Sequence, residues 1–223
     1  MIEINHPLFS SPMLLRDNCV NALIIENPQL LYNITKDIFQ LFDANDSETK
    51  ILVNKEMPKD YSKIFLIDNL LDINVNSKKI LGAVNKLIAK RVLPDSYKLN
   101  EIYSDGYKLL CNIIEDINLP IILESDMDIN NFIKLYNPSI SYSYDTLIEQ
   151  LVGAIDIMIE VYNINLLITI NIQDFLCEED YFALLKHCEN RDLKWLSIQA
   201  NSKYHNDKIN TRLIDNDLCE VLA

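Results

Sequence analysis

Glycine is nearly absent from this chain, with three in 223 residues. The scarcity excludes sites built on glycine-rich turns, because backbone N–H groups crowd around a phosphate only where no Cβ intervenes. Neither GxxxxGK[ST] nor GxGxxG occurs, and the GxSxG and HExxH hydrolase signatures are missing too. None of the three histidines (His6, His187, His205) has a partner at metal-ligand spacing. No apolar run approaches the roughly 18 residues of a membrane span, which argues against an integral membrane protein. The opening MIEINHPLFSSPM lacks a basic start followed by an apolar stretch, so a secretory signal is not expected. The five cysteines (Cys19, Cys111, Cys177, Cys188, Cys219) are odd in number and scattered, with no CxxC pair. Free thiols in a reducing cytoplasm are the expectation.

What is present is an ordinary folding chain, 49% hydrophobic and 24% charged, long enough for one large domain or a core with a smaller lobe. Its charge is segregated. Twenty basic against 33 acidic residues leave −13 overall. Between Lys50 and Arg91, however, nine bases meet four acids (Glu56, Asp60, Asp68, Asp72). From Leu135 to Leu185 there is no base at all, while eight acids fall in the stretch, Asp145 and Glu149 first among them. A local basic surface binds phosphates whatever the sign of the total, although any one such lysine can equally be a solvated surface residue.

Short apolar runs alternating with helical periodicity indicate a buried parallel sheet flanked by helices. Strands are expected near Ala22–Ile25, Ile51–Val53, Ile64–Ile67, Leu166–Ile172 and Leu193–Ile198, with residues 211–222 as a closing strand pair. A helix from about Gln29 to Phe42 aligns Leu30, Leu31, Ile34, Ile38 and Leu41 on one face. The middle of the chain reads as helical. From Asn76 to Val92, Ile80, Leu81, Val84, Leu87 and Ile88 keep helical spacing, with Lys79, Lys86 and Lys90 on another stripe and Asn76 or Asn74 as the expected cap. Helices near Leu99–Ile117, after Asp128, and over Tyr144–Tyr162 follow. The last is apolar on most sides and calls for burial in a lobe junction or a subunit interface. The expected fold class is α/β, with a head of residues 1–70 and 140–223 and an inserted helical leg of residues 71–139.

The strand–helix unit VNALIIENPQLLYNITKDIF lies where a P-loop would lie in a nucleotide-binding α/β protein, but its turn is Glu26-Asn27-Pro28-Gln29. KIFLID ends in Asp68 like a magnesium-bearing strand, and LLITINI ends near Asn171 like a sensor strand. The architecture is P-loop-like and hydrolysis looks lost. His187 beside Cys188 reads as helix-surface packing rather than a catalytic pair, and Trp195 as core or interface. Glu115, Asp116, Glu124, Asp126 and Asp128 form an acidic cluster. Asp126-x-Asp128-x-Asn130 matches the first ligand positions of a calcium loop, but Asn131 stands at the turn glycine and Asn137 at the closing glutamate. A helix cap at Asp126 or Asp128 is the competing reading, and calcium bound by two segments a further one.

Taken in order, the glycine-free LIIEN turn, KIFLIDNLLDINVNSKKIL, the acidic helical middle and LLITINIQDFLCEEDYFALL resemble the short form of the CRISPR-associated Csn-two family of type II-A systems. The likeness spans nearly the whole chain. It implies a cytoplasmic, non-catalytic protein with a degenerate P-loop-NTPase-like head and an inserted helical leg. It further implies a homotetrameric ring, stabilised by calcium, that encircles double-stranded DNA ends. Its role would be in spacer acquisition beside the CRISPR integrase complex and the RNA-guided effector nuclease, with no nucleotide cofactor. On that reading Lys50, Lys55, Lys59 and Lys63 contact DNA phosphates, with Lys78, Lys79, Lys86 and Lys90 next, and the five carboxylates from Glu115 to Asp128 hold calcium. Two rival readings stand beside it. One is a nucleotide-binding switch or ATPase with an unorthodox phosphate loop; the other is a protein-interaction scaffold.

Overall fold

The computed structural model describes residues 1–42, 47–70, 73–117, 119–124, 126, 128–141 and 144–222. In chain order the elements are β1 (Ile2–Asn5), β2 (Met13–Leu15), β3 (Val20–Ile25), α1 (Pro28–Phe42), β4 (Lys50–Val53) and β5 (Ile64–Ile67). They continue with α2 (Lys78–Val92), α3 (Ser96–Glu115), α4 (Ile129–Leu135), α5 (Leu147–Tyr162), β6 (Leu166–Ile170), α6 (Glu178–Asn190), β7 (Lys194–Gln199), β8 (Ile209–Ile214) and β9 (Glu220–Leu222). Two compact units result, one made of Met1–Ile73 with Tyr142–Ala223, the other of Asn74–Ser141. Leu71 and Asp72, beside the boundary expected from the sequence, lie outside the described residues.

The first unit is built on a six-stranded sheet in the order β5-β6-β7-β3-β8-β9. Its first five strands are parallel, in registers such as Ile64↔Leu166, Val20↔Trp195 and Val20↔Ile209, and β9 closes the edge antiparallel to β8. All six residues of β3 are buried, which is why VNALII is nearly continuous in apolar residues rather than alternating. On one side α1 lays Leu30, Ile34, Ile38 and Leu41 into a core with Leu23, Ile25, Ile168 and Ile198. Asn27 starts this helix by accepting the Leu30 N–H at 3.0 Å. The fold is α/β with a mostly parallel sheet, as expected.

Two details differ from the expectation. Ile51–Val53 does not join the parallel sheet: as part of β4 it pairs antiparallel with β1 in a separate three-stranded sheet, β2-β1-β4. A three-residue apolar run carries no information about its partner, and β1 and β2 are too short to stand out by period. In the closing pair, β8 is a sheet strand parallel to β3 from Ile209 onward, and only β9 serves as an edge.

Helix α5 buries Leu151, Gly153, Ala154, Ile155 and Met158 within this unit. The Tyr144 ring lies across Gly153 so closely that an added Cβ would come within 2.5 Å of Cζ. Thr146 caps the helix by accepting the Glu149 N–H at 3.3 Å, and the Glu149 carboxylate reaches back to the Asp145 N–H at 3.2 Å.

In the second unit a single 3-10 turn, Leu93–Asp95, joins α2 to α3, and α2 packs against α4. The cap of α2 is Ser77, whose hydroxyl accepts the Ile80 N–H at 3.4 Å, rather than Asn74 or Asn76. Asn74 instead accepts the Asn76 N–H, and the Asn76 amide exchanges two hydrogen bonds with the Ile140 backbone at 2.8 and 3.0 Å. Among the described residues, Val75 and Ile133 are the only apolar side chains buried in this unit. Ile102, Leu109, Leu110 and Ile113 of α3 are at least half exposed, and Ile122 beyond it is 93% exposed.

Candidate nucleic-acid interface

The lysines expected to meet DNA begin on β4. Lys50 is exposed at its first position. At its far end Val53 and Glu56 exchange backbone hydrogen bonds of 2.8 and 3.1 Å around Asn54 and Lys55, which have φ of 55° and 68°. Two positive φ values between reciprocally bonded residues are the signature of a tight hairpin turn of the primed kind. The turn is tethered by the Asn54 N–H, which donates to the Met1 carbonyl at 2.8 Å. Lys55 is thereby held at a turn tip with its side chain in solvent. The chain returns through Lys59 and Lys63. Asp60 organises this return, accepting the Ser62 N–H at 2.9 Å and the Ser62 hydroxyl, and these bonds hold its carboxyl below the usual carboxylate range. The Lys63 carbonyl accepts the Asn165 N–H at 2.8 Å, fastening this residue to the start of β6. Lys50, Lys55, Lys59 and Lys63 are all exposed, and none is in an ion pair among the described residues. Four exposed lysines within fourteen positions of one unit, against Glu56 and Asp60, leave a net positive segment able to bind phosphates without reading bases.

Lys78, Lys79, Lys86 and Lys90 belong to the second unit, exposed along α2, whose apolar positions Ile80, Leu81, Val84, Leu87 and Ile88 are half-buried. The two sets of four therefore belong to separate units.

The five carboxylates do not gather. Glu115 ends α3 and Asp116 follows as its cap residue, while Glu124, Asp126 and Asp128 lie in the connection to α4. Among the described residues no three of them bring oxygens within 4.8 Å of one another. Asp128 caps α4, accepting the Asn130 N–H at 2.8 Å. The Tyr103 hydroxyl donates to the Glu124 carbonyl at 3.0 Å. As arranged in one chain, these residues are not a preformed calcium cage, which needs six or more oxygens around one point.

The turn after β3 is filled by its own side chains. The Asn27 amide donates to the Asn216 carbonyl at 3.1 Å, and Asn216 reaches Glu26 at 3.5 Å. An acid and a proline stand where a phosphate would need free N–H groups. Asp68 is exposed beyond β5, and Asn171 is tied up accepting the Ala200 N–H at 3.0 Å. His187 contacts Asp156 at 3.1 Å, with Arg191 at 2.8 Å from the same oxygen, in a bridge between α5 and α6. Burial pushes the neighbouring Cys188 thiol up to about 12, so it carries almost no thiolate at neutral pH. Trp195 is fully buried and donates to Thr169 at 2.9 Å, a core residue.

One cluster escapes a reading by spacing. His6, Asp37 and Glu48, from three separate segments, bring potential ligand atoms within 4.8 Å of one another. The Leu8 N–H donates to His6 Nδ1 at 3.2 Å, so the neutral ring carries its proton on Nε2. A metal on Nε2 would force that proton to Nδ1, where an N–H already points, and a metal on Nδ1 would displace the Leu8 contact. The existing Leu8 hydrogen bond and the tautomer it sets therefore disfavour a metal on this ring. Burial lowers the His6 pKa, opposed by the charges of Asp37 and Glu48.

The class is that of an α/β protein without a phosphate-loop motif, carrying a cluster of exposed lysines on an acidic chain. The family model for CRISPR-associated protein (Cas_Csn2) matches residues 42–218, and the chain belongs to that family. Among curated proteins none matches the sequence. A solved structure described as "Putative ABC transporter (ATP-binding protein)" from Pyrococcus furiosus superposes with a TM-score of 0.44 at 12% identity, covering 94% of this chain and 96% of that one. Among the described residues no helix is long and apolar enough to cross a membrane.

Proposed function

We propose that this chain is a non-catalytic, double-stranded DNA-end-binding protein of CRISPR adaptation, acting in the cytoplasm as a homotetrameric ring through which linear duplex threads. The observation that carries the reading is the run of exposed lysines from Lys50 to Lys63, none within ion-pair distance of an acid among the described residues, on a chain of net charge −13. A ring that turns this segment inward and its acids outward attracts duplex into the bore and repels it elsewhere. Contacts to phosphates alone make affinity fall steeply with salt and ignore sequence. The bare apolar face of α3 supports assembly, since a unit whose described residues bury only two apolar side chains gains its core by association. The side-chain-filled turn at Glu26–Pro28 supports the absence of nucleotide hydrolysis. Calcium enters as an ion that offsets repulsion among Glu115, Asp116, Glu124, Asp126 and Asp128 once subunits meet. The integrase complex and the RNA-guided effector nuclease are the partners this role requires.

The test pairs linear with covalently closed duplex of the same sequence, in calcium and in chelator, with the mass of the complex measured in parallel. Binding of linear DNA alone by a calcium-supported tetramer is the expected result. Assembly without salt-sensitive DNA binding would favour a protein scaffold, a second reading that the exposed α3 face also serves.

A further inference from the structure

At the amino ends of β5 and β6, a cleft of about 350 Å³ opens beneath the lysine-bearing loop. It lies at the end of the sheet opposite the turn after β3. Val53, Met57, Pro58 and Ile64 supply apolar lining, and Lys59, Lys63, Glu56 and Asp60 line the cleft with charge. Its volume is at the lower end of the about 300–1,000 Å³ typical of small-molecule sites. The mixture of groups narrows the ligand. A simple anion would meet two carboxylates, a simple cation two ammonium groups, and a purely apolar ligand would desolvate all four at a cost. A ligand with a phosphate for the lysines, a flat apolar body for Met57 and Pro58, and amino or hydroxyl donors for the carboxylates satisfies every wall. Met57 is 53% exposed, so its thioether is open to a ligand face.

The geometry points to this cleft as a nucleotide site, taking either a free nucleoside monophosphate or the unpaired terminal nucleotide of a DNA strand. The second source rests on the DNA-end reading above, and gives the lysine loop a way to distinguish an end from the middle of a duplex. The ammonium groups of Lys59 and Lys63 hold the phosphate, the Met57 thioether lies against the base, and Glu56 and Asp60 accept from its polar edge.

The test titrates the full chain with deoxynucleoside 5′-monophosphates, following amide and methionine methyl NMR signals. It then compares blunt duplex with duplex bearing a one-nucleotide 5′ overhang. The expected result is a shift of the Met57 methyl, and at least threefold tighter binding of the overhang than of the blunt end. Met57→Ser, a neutral surface substitution that spares every lysine, should abolish the nucleotide-induced shifts of the neighbouring amides and the overhang advantage, and leave blunt-duplex affinity unchanged. A nucleotide shift with no overhang advantage assigns the cleft to free nucleotides. Nucleotides that leave the cleft signals unmoved, or that bind Met57→Ser equally well, overturn the proposal. Should blunt-duplex binding still be lost on reversing Lys55 and Lys59, the DNA-end reading survives that failure.

Discussion

Lys55 combines two properties that a substitution can separate. Its φ of 68° is costly for a side chain with a Cβ, on the order of 1 kcal/mol or more. Lys55→Gly removes both charge and strain, so thermal stability should hold or rise while duplex affinity falls. Lys55→Glu should weaken binding without the stability gain. Reversing Lys55 and Lys59 together should weaken binding at least about tenfold and flatten the dependence of log K on log salt by about 2, read from titrations across salt concentrations. Unchanged binding would exclude this loop from the interface. A second residue-scale prediction concerns Glu220, whose carboxylate accepts the Ser10 N–H at 2.6 Å and lies 3.0 Å from Arg212 Nε. Burial works to raise its pKa, but the Ser10 bonds and the Arg212 charge outweigh burial and lower it below 4.5. A depressed folded-state pKa contributes stability that is present above the unfolded value and lost as pH falls through the folded one. Melting temperatures should therefore drop below about pH 4.5, and less steeply in Glu220→Gln than in the native chain.

At the scale of the element, helices announce themselves by period and their ends do not. The faces of α1 and α2 were legible because apolar residues recur every three to four positions. The cap of α2 was not, because Asn74, Asn76 and Ser77 are all good caps, and Asn76 is taken by the Ile140 backbone. Ser77→Ala should destabilise the helical unit by about 1 kcal/mol, seen as earlier loss of hydrogen-exchange protection in α2. Helix α3 carries the other prediction at this scale. Leu109 and Ile113, 61% and 50% exposed, are one turn apart on its open face. Glutamate at both should lower the native mass toward the monomer while leaving far-ultraviolet circular dichroism unchanged. A mass unaffected by these changes would place the assembly surface elsewhere.

For the whole molecule, the decisive quantity is the distribution of charge rather than its sum. A net charge of −13 opposes DNA at long range, so the proposed binding needs the bases gathered on the surface that meets the duplex and the acids turned away from it. Buried His6 adds a pH term at this scale, because it joins the first strand's end to α1 and to the segment before β4 through Asp37 and Glu48. Its lowered pKa keeps the folded ring neutral while the unfolded ring still binds a proton below the usual 6.5. Stability should accordingly decline as pH falls below about 6.5, and His6→Gln should remove that part of the decline in denaturant midpoints measured from pH 7.5 to 5.5.

The sequence alone was enough for the α/β class, the positions of β3, β5, β6 and β7, the missing phosphate loop and the lysine run. These are local properties, written in composition and in periods of a few residues. Tertiary structure alone decided that β4 leaves the parallel sheet, that Asn76 is taken by the Ile140 backbone, and that no three of the acids from Glu115 to Asp128 meet among the described residues. It also decided that His6 meets two carboxylates far along the chain, and that a cleft lies beneath Lys59 and Lys63. The physical reason is common to all five. Strand partners, burial and ligand sets depend on which distant backbone segments the core draws together, and no window along the chain contains that information.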